Sequence, residues 1–394
     1  VRANTPRLPA NADPQPAAAG INAFGLDLYA QLANGNGNLV FSPASIELAL
    51  AMLRPGARGE TARQMDAAMH SVGSDQMAAA ISALQAALDS RSGTYKDDQG
   101  NDVPVTLRIA NSAFAQHGLT IEQAYLAALS ARFDAGVRLV DFATDPDAAR
   151  KLINDWVSQQ TEQRIEGLLG PGSIDELTRL VLANAIYLKA PWQTQFSKDS
   201  TSTQPFTTAD GQTVQVPMMS SQQTTAYAEG PGWQAVDLPY VGGDLSMTII
   251  LPDDLAAFEQ SLTADSLDSI IGKLSSTEVQ LSLPKFNLET KTNLPQQLSA
   301  LGMPLAFDAQ QADFSGITTD QKLSVSDVIH QANITVDEAG TEAAAATAIV
   351  VGITALPSKI ARMDVNHPFL FALRDDPTGT ILFLGRVTDP SATS

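Results

Sequence analysis

The chain has 394 residues and a formal net charge of −19, from 43 acidic and 24 basic side chains. That balance argues against nucleic acid, heparin-like glycans and anionic membranes as partners, because no basic patch is available to neutralise phosphates or sulfates. The absence of cysteine excludes disulfides and thiolate metal sites and leaves the compartment open, and no apolar run reaches the roughly 18 residues a membrane span needs.

The length alone suggests two or three domains. No Pro/Gly/Ser-rich linker interrupts the interior, however, and strand and helix signals alternate from about residue 21 to 388. One large mixed domain over 21–390, with an ample core, is therefore expected.

Residues 1–20 are Pro- and Ala-rich, polar and aperiodic, and read as a disordered leader or tether. The sequence starts at Val1 rather than Met, which fits a cleaved signal peptide and so secretion, or a trimmed sequence. Ile21, Phe24, Leu28 and Leu32 recur at helical spacing, and the Asn-rich turn from Asn34 to Asn38 ends that helix. Ser42 before Pro43 starts another, offering a side-chain oxygen to free N–H groups and then proline at the first helical position. Pro55 and Gly56 stop it. Ile81, Leu84 and Leu88 mark a further helix, and Val105, Leu107 and Ile109 alternate as a strand over 104–114. Asp145-Pro146 caps a helix carrying Leu152 and Trp156 on one face, and 181–192 reads as a buried strand ending at Trp192. Strands also fit 245–251, 278–286 and 380–388.

The most informative run is 338–347, Glu-Ala-Gly-Thr-Glu-Ala-Ala-Ala-Ala-Thr, after the apolar Ile334 and Val336. Four alanines favour helix, yet Thr347 to Val351 is β-rich, and Gly352 and Pro357 bound the segment as breakers. Such a segment is acceptable both as loop or helix and as strand. As a central strand it would send Thr341, Ala343, Ala345, Thr347, Ile349 and Val351 to one face, none of them charged, with Glu342 on the opposite, wetter face. The plainer reading is a flexible alanine-rich linker.

An enzyme reading finds little. The sequence has no Gly-x-Ser-x-Gly elbow, His-Glu-x-x-His, phosphate loop or cysteine nucleophile. His70, His117, His330 and His367 lack ligand-like spacing, so neither metal nor cofactor is expected.

Glu338, Gly340, Thr341, Glu342 and the alanines Ala343, Ala344, Ala345 and Ala346 resemble, position by position, the inhibitory hinge of the serpins, the serine protease inhibitor superfamily. Further resemblances lie at Phe41 to Ile46, Gly56 to Thr61, Asn184 to Tyr187 with Trp192 and Phe196, and Val216 to Met219. Others are Leu238 to Tyr240, Leu283 to Phe286, Asp313 to Ile317, and His367 to Phe371 with Gly385 to Val387. Together they cover about 21–390. The resemblance implies an α+β serpin fold of bacterial origin: three β-sheets, surrounding helices and an exposed reactive-centre loop at about 338–362.

It also implies suicide inhibition, in which a target protease cleaves the loop, is held as an acyl-enzyme, and is distorted as the freed hinge through Thr347 inserts into the main sheet. By the same resemblance, Ser42, Ser45, Asn184 and His330 form the shutter under that sheet, and Trp192 marks the breach at its top. Counting from the hinge glutamate places the scissile bond at Thr354–Ala355, with Ile353–Thr354 or Ala355–Leu356 as shifted registers. These small and aliphatic residues suit elastase-like or subtilisin-like targets, and a cysteine protease is a further candidate. A non-inhibitory serpin acting as a binding or chaperone-like protein is the alternative. The expected state is a secreted or surface-tethered monomer, liable to polymerise by loop exchange.

Overall fold

The structure is a computed structural model that describes residues 1–8, 10–71, 75–97, 99–342 and 360–392. Its longer helices are α1 (Gln15–Leu32), α2 (Pro43–Leu53), α3 (Gly59–Ala68), α4 (Asp75–Asp89), α5 (Gln123–Phe133) and α6 (Pro146–Gln160). Shorter ones are α7 (Leu255–Gln260), α8 (Ala264–Ile271) and α9 (Pro295–Ala300). Strands in the first half are β1 (Leu39–Phe41), β2 (Gly93–Lys96), β3 (Asp102–Gln116), β4 (Val137–Val140), β5 (Leu180–Pro191), β6 (Ser202–Thr207) and β7 (Thr213–Gly230). Then follow β8 (Trp233–Pro239), β9 (Leu245–Pro252), β10 (Ser275–Pro284), β11 (Phe286–Asn293), β12 (Asp327–Asp337), β13 (Gly340–Thr341), β14 (Ala361–Asp364), β15 (Phe369–Asp375) and β16 (Thr380–Val387).

The local signals act as the residues dictate. The Ser42 hydroxyl accepts from the Ser45 N–H at 3.1 Å and caps α2. The Asp145 carboxylate accepts from the Ala148 N–H at 2.9 Å and caps α6. The buried stripe of α6 is Ala149, Ile153 and Val157, with Trp156 packed beside it. Leu152, expected to share that face, points to solvent, because the sheet beneath selects the i, i+4, i+8 positions one residue on.

Residues 1–20, expected as a disordered leader, already contain the start of α1 at Gln15. Residues 1–8 lie along α5 and β4. The Val137 N–H donates to the Val1 carbonyl at 2.9 Å and the Leu8 N–H to the Ala131 carbonyl at 2.7 Å. Composition carries no signal for a contact made with a distant strand edge.

The expected three sheets appear as one seven-stranded sheet and two halves of a nine-stranded one. The long β7 joins those halves: β1-β16-β15-β9-β8 on one side and β10-β14, with β6, on the other. The seven-stranded sheet runs β11-β12-β13-β5-β3-β2, with β4 also on β3. In β5, Ile186, Leu188 and Ala190 face the second sheet among Phe371 and Leu373. Val181, Ala183 and Ala185 face α6. Coverage on both faces explains why this strand reads as an unbroken apolar run.

The main sheet has a fork. β12 pairs in parallel with β5 from Asp327↔Val181 to Gln331↔Ala185. Farther along, the two strands part and β13 sits between them, antiparallel to both. Thr341 lies opposite Val336 and Ala190, and Gly340 opposite Asp337 and Pro191. Gly340 is required there. A Cβ would sit 2.3 Å from the Ala190 carbonyl oxygen and 2.7 Å from Pro191 Cα, at a φ of +147°. Gly340→Ala should therefore expel β13 at a cost of about 3 kcal/mol, read as a lower urea midpoint and lost exchange protection at the Glu342 amide. An unchanged midpoint and unchanged protection would contradict this seat.

Candidate functional site

Two polar clusters are strung along β5, one at the fork and one where the strands close. At the fork, the Trp192 N–H donates to the Ala339 carbonyl and the Phe196 N–H to the Glu338 carbonyl, both at 2.9 Å. The Trp192 indole donates to the Asp337 carbonyl at 3.0 Å and stacks on Tyr240 with centroids 4.5 Å apart. The Tyr240 hydroxyl in turn shares a 2.6 Å hydrogen bond with the buried Thr341 hydroxyl. Residues 337–341, where the expected hinge begins, are thus docked by backbone and side-chain contacts.

Glu338 anchors the start of this segment. Its carboxylate accepts from Lys285 at 2.7 Å and from Thr201 at 2.8 Å. Burial pulls its pKa upward, but the Lys285 ammonium, its own backbone N–H and Thr201 together hold it below the usual glutamate range.

Glu342 turns the chain with a left-handed φ of +52°, while its N–H donates to the Thr335 carbonyl at 3.2 Å. It lies on the α6 side of the sheet, away from Thr341, near Tyr187 and 3.2 Å from Arg164. That face was expected to be wet. The connector after α6 covers it, leaving the Glu342 side chain only 5% exposed, and burial raises its carboxyl above the usual range against the pull of Arg164 and Lys189.

Ser42, Ser45, Asn184 and His330 converge in one buried network. The Ser42 N–H donates to His330 Nε2 at 3.0 Å, so Nε2 carries no proton. The ring proton therefore sits on Nδ1 and donates to Asn184 Oδ1 at 2.5 Å. That leaves the Asn184 amide to donate to Ser45 Oγ at 2.7 Å and Asn111 Oδ1 at 2.5 Å. The network joins the start of α2 to β3, β5 and β12. Its four core members, Ser42, Ser45, Asn184 and His330, are buried and tie separate elements together, an arrangement suited to holding strands.

Ala343, Ala344, Ala345, Ala346 and Thr347 of the hinge, and the scissile candidates Ile353, Thr354, Ala355 and Leu356, lie outside the described residues. Sequence reasoning missed Asn111, Arg164, Thr201, Tyr240 and Lys285. Lys285 and Tyr240 stand inside motifs that it quoted, and Asn111 is the register partner of Asn184 on β3. Arg164 and Thr201 carry no local signal.

Burial lowers the His330 pKa from its ordinary 6.5 to about 3. The unfolded chain binds this proton below about pH 6.5, whereas the folded protein refuses it until about pH 3. The resulting stability is full above pH 6.5 and falls between those limits by about 1.4 kcal/mol per pH unit. Urea midpoints of His330→Gln should decline less steeply than wild type over pH 6.5 to 4. Parallel profiles would contradict a neutral, buried imidazole.

The family model described as "Serpin (serine protease inhibitor)" matches residues 19–390. A serpin-like protein of Thermococcus kodakarensis is 38% identical, over 95% of this chain and 86% of its own. The leukocyte elastase inhibitor of Bos taurus is 37% identical, over 93% of this chain and 97% of its own. Among solved structures, the native state of the thermophilic serpin tengpin superposes with a TM-score of 0.86 at 27% identity, covering 99% of this chain and 97% of that one. With the family match spanning nearly all of the chain, and the fold shared by that solved serpin, this protein belongs to the serpin family.

Proposed function

We propose that this serpin inhibits serine proteases by strand insertion, acting as a suicide substrate rather than as an enzyme. The observation that carries the reading is β13, seated as a two-residue wedge between two parallel strands that close below it. Extending its register supports the idea. Six residues beyond Thr341 is Thr347; six back from Ala190 and Val336 are Asn184 and His330. Insertion would then bring Thr347 between the two side chains whose hydrogen bond closes the sheet, with a hydroxyl to offer in exchange. Ala343 would meet Leu188 and Ile334, and Ala345 would meet Ile186 and Ala332, all buried in the inter-sheet core. Only small, uncharged side chains fit such positions.

The energetics are of the right size. About a dozen newly laddered residues, at roughly 1 kcal/mol per hydrogen bond, supply on the order of 10 kcal/mol. A globular protease is stable by only about 5–15 kcal/mol. The uncleaved protein is then metastable, held by a kinetic barrier. Thr354–Ala355 is the proposed scissile bond and an elastase-like or subtilisin-like enzyme the proposed target, acting on a secreted monomer. The elastase inhibitor among its relatives lends support to that target class.

Incubation with pancreatic elastase, and separately with subtilisin, should give an SDS-stable adduct and release a C-terminal peptide beginning at Ala355. Cleavage without an adduct would favour a non-inhibitory serpin. An adduct with a different peptide would keep the mechanism and move the bond. In Thr341→Arg, a cation would replace the hydroxyl bonded to Tyr240, and cleavage should turn over with at least a tenfold loss of adduct. Undiminished trapping by that variant would sink the insertion mechanism.

A further inference from the structure

Glu342 ends the described part of the segment seated in the fork. On the β12 side it is already in register: its N–H donates to the Thr335 carbonyl, one step beyond the Thr341↔Val336 pair. On the β5 side the pairing stops at Thr341↔Ala190. The left-handed φ of +52° at Glu342 departs from strand geometry. A change at this one residue, to the strand value near about −140°, would carry the ladder on.

The ion-pair partner of its carboxylate is Arg164, on the connector after α6, with Nε 3.2 Å from Oε2. The neighbouring carboxylate is otherwise committed: Glu162 accepts from the Tyr187 hydroxyl at 3.3 Å and pairs with Arg108 at 3.3 Å. Lys189, on β5, has no such commitment. It is half-buried and makes no salt bridge among the described residues, yet it lies near enough to Glu342 to pull that carboxyl's pKa down.

The register gives Lys189 a partner. One step back from Ala190 on β5 is Lys189, and one step beyond Thr341 is Glu342, so an extended β13 sets these two directly opposite each other. Lys189 shares the parity of Val181, Ala183 and Ala185, which face α6, and Glu342 lies on that same side. Opposite charges so placed across a sheet attract, and like charges destabilise. On the other flank, Thr335 is uncharged and its hydroxyl already donates to Asn287 at 2.7 Å. We propose that Lys189 is a positioning residue for strand insertion: as the ladder extends, the Glu342 carboxylate passes from Arg164 to Lys189. This role rests on the insertion reading and is the first side-chain exchange within it. Arg164 is the partner before insertion and Lys189 the partner after it, which biases a tethered protease toward trapping rather than release by hydrolysis.

The test measures the ratio of SDS-stable adduct to cleaved inhibitor with elastase and with subtilisin, and the melting temperature before and after loop cleavage. Lys189→Glu, which sets two carboxylates opposite each other, should lower the ratio about fivefold. The exchange of charges, Lys189→Glu with Glu342→Lys, should restore it to within about twofold of wild type. Arg164→Met, which removes the partner held before insertion, should raise it. If Lys189→Glu does not fold, Lys189→Met is read instead and should lower the ratio about twofold, with the urea midpoint of the intact protein unchanged. A ratio unmoved by the Lys189 variant, no recovery on exchange of charges, or a fall with Arg164→Met would overturn the role of Lys189 and leave strand insertion standing. A wild-type protein that forms no adduct and gains no melting temperature on cleavage would overturn insertion itself, and this role with it.

Discussion

The rest of this structure depends on two parallel strands that share one register but pair along only part of it. From Asp327 to Gln331, β12 lies directly on Val181 to Ala185 of β5. From Ala332 to Thr335 and Ile186 to Lys189, no direct β5–β12 pairing is made among the described residues, and the same register resumes only through Thr341. Parted backbone groups in a sheet covered on both faces are an unfavourable arrangement. A third strand in antiparallel register relieves it. On the proposed mechanism, Gly340 and Thr341 are the first two residues of that strand already in place, so insertion would be propagation along an existing ladder rather than nucleation.

The barrier to such propagation would be polar and local. At the closing point, the His330 to Asn184 hydrogen bond ties β12 to β5, while Ser42 and Ser45 bring in α2 and Asn111 brings in β3. Every side chain in the group has a partner in one consistent proton arrangement, which is how a buried polar network contributes to a unique closed state. Opening it without replacement would leave buried donors and acceptors unsatisfied, at roughly 1–3 kcal/mol each. A threonine arriving in register would limit that loss. On the proposed mechanism the same chemistry would serve as lock and, with a partner exchanged, as receptor.

Much of this was legible in the sequence because the constraints are local. Gly340 stands where only a glycine fits between Ala190 and Pro191, and the Ser42-Pro43 cap and the Asp145-Pro146 cap announce their helices directly. What was not legible depends on tertiary contact. Lys285 meets Glu338 across 53 positions of sequence, and Arg164 reaches Glu342 from the turn after α6. Leu152 looked as apolar as Ile153, and only the position of the sheet decided which was buried. Glu342 was expected in water because strands alternate, but alternation does not reveal what covers the outer face.

The most direct test of the account locks the fork shut. The chain has no cysteine, so Ala183→Cys with Ile329→Cys places one disulfide across β5 and β12 at register partners that both face α6. If strand separation is required, the oxidised variant should be cleaved by elastase or subtilisin as an ordinary substrate, and reduction should restore the covalent adduct. Equal adduct formation by the verified oxidised and reduced forms would contradict the account.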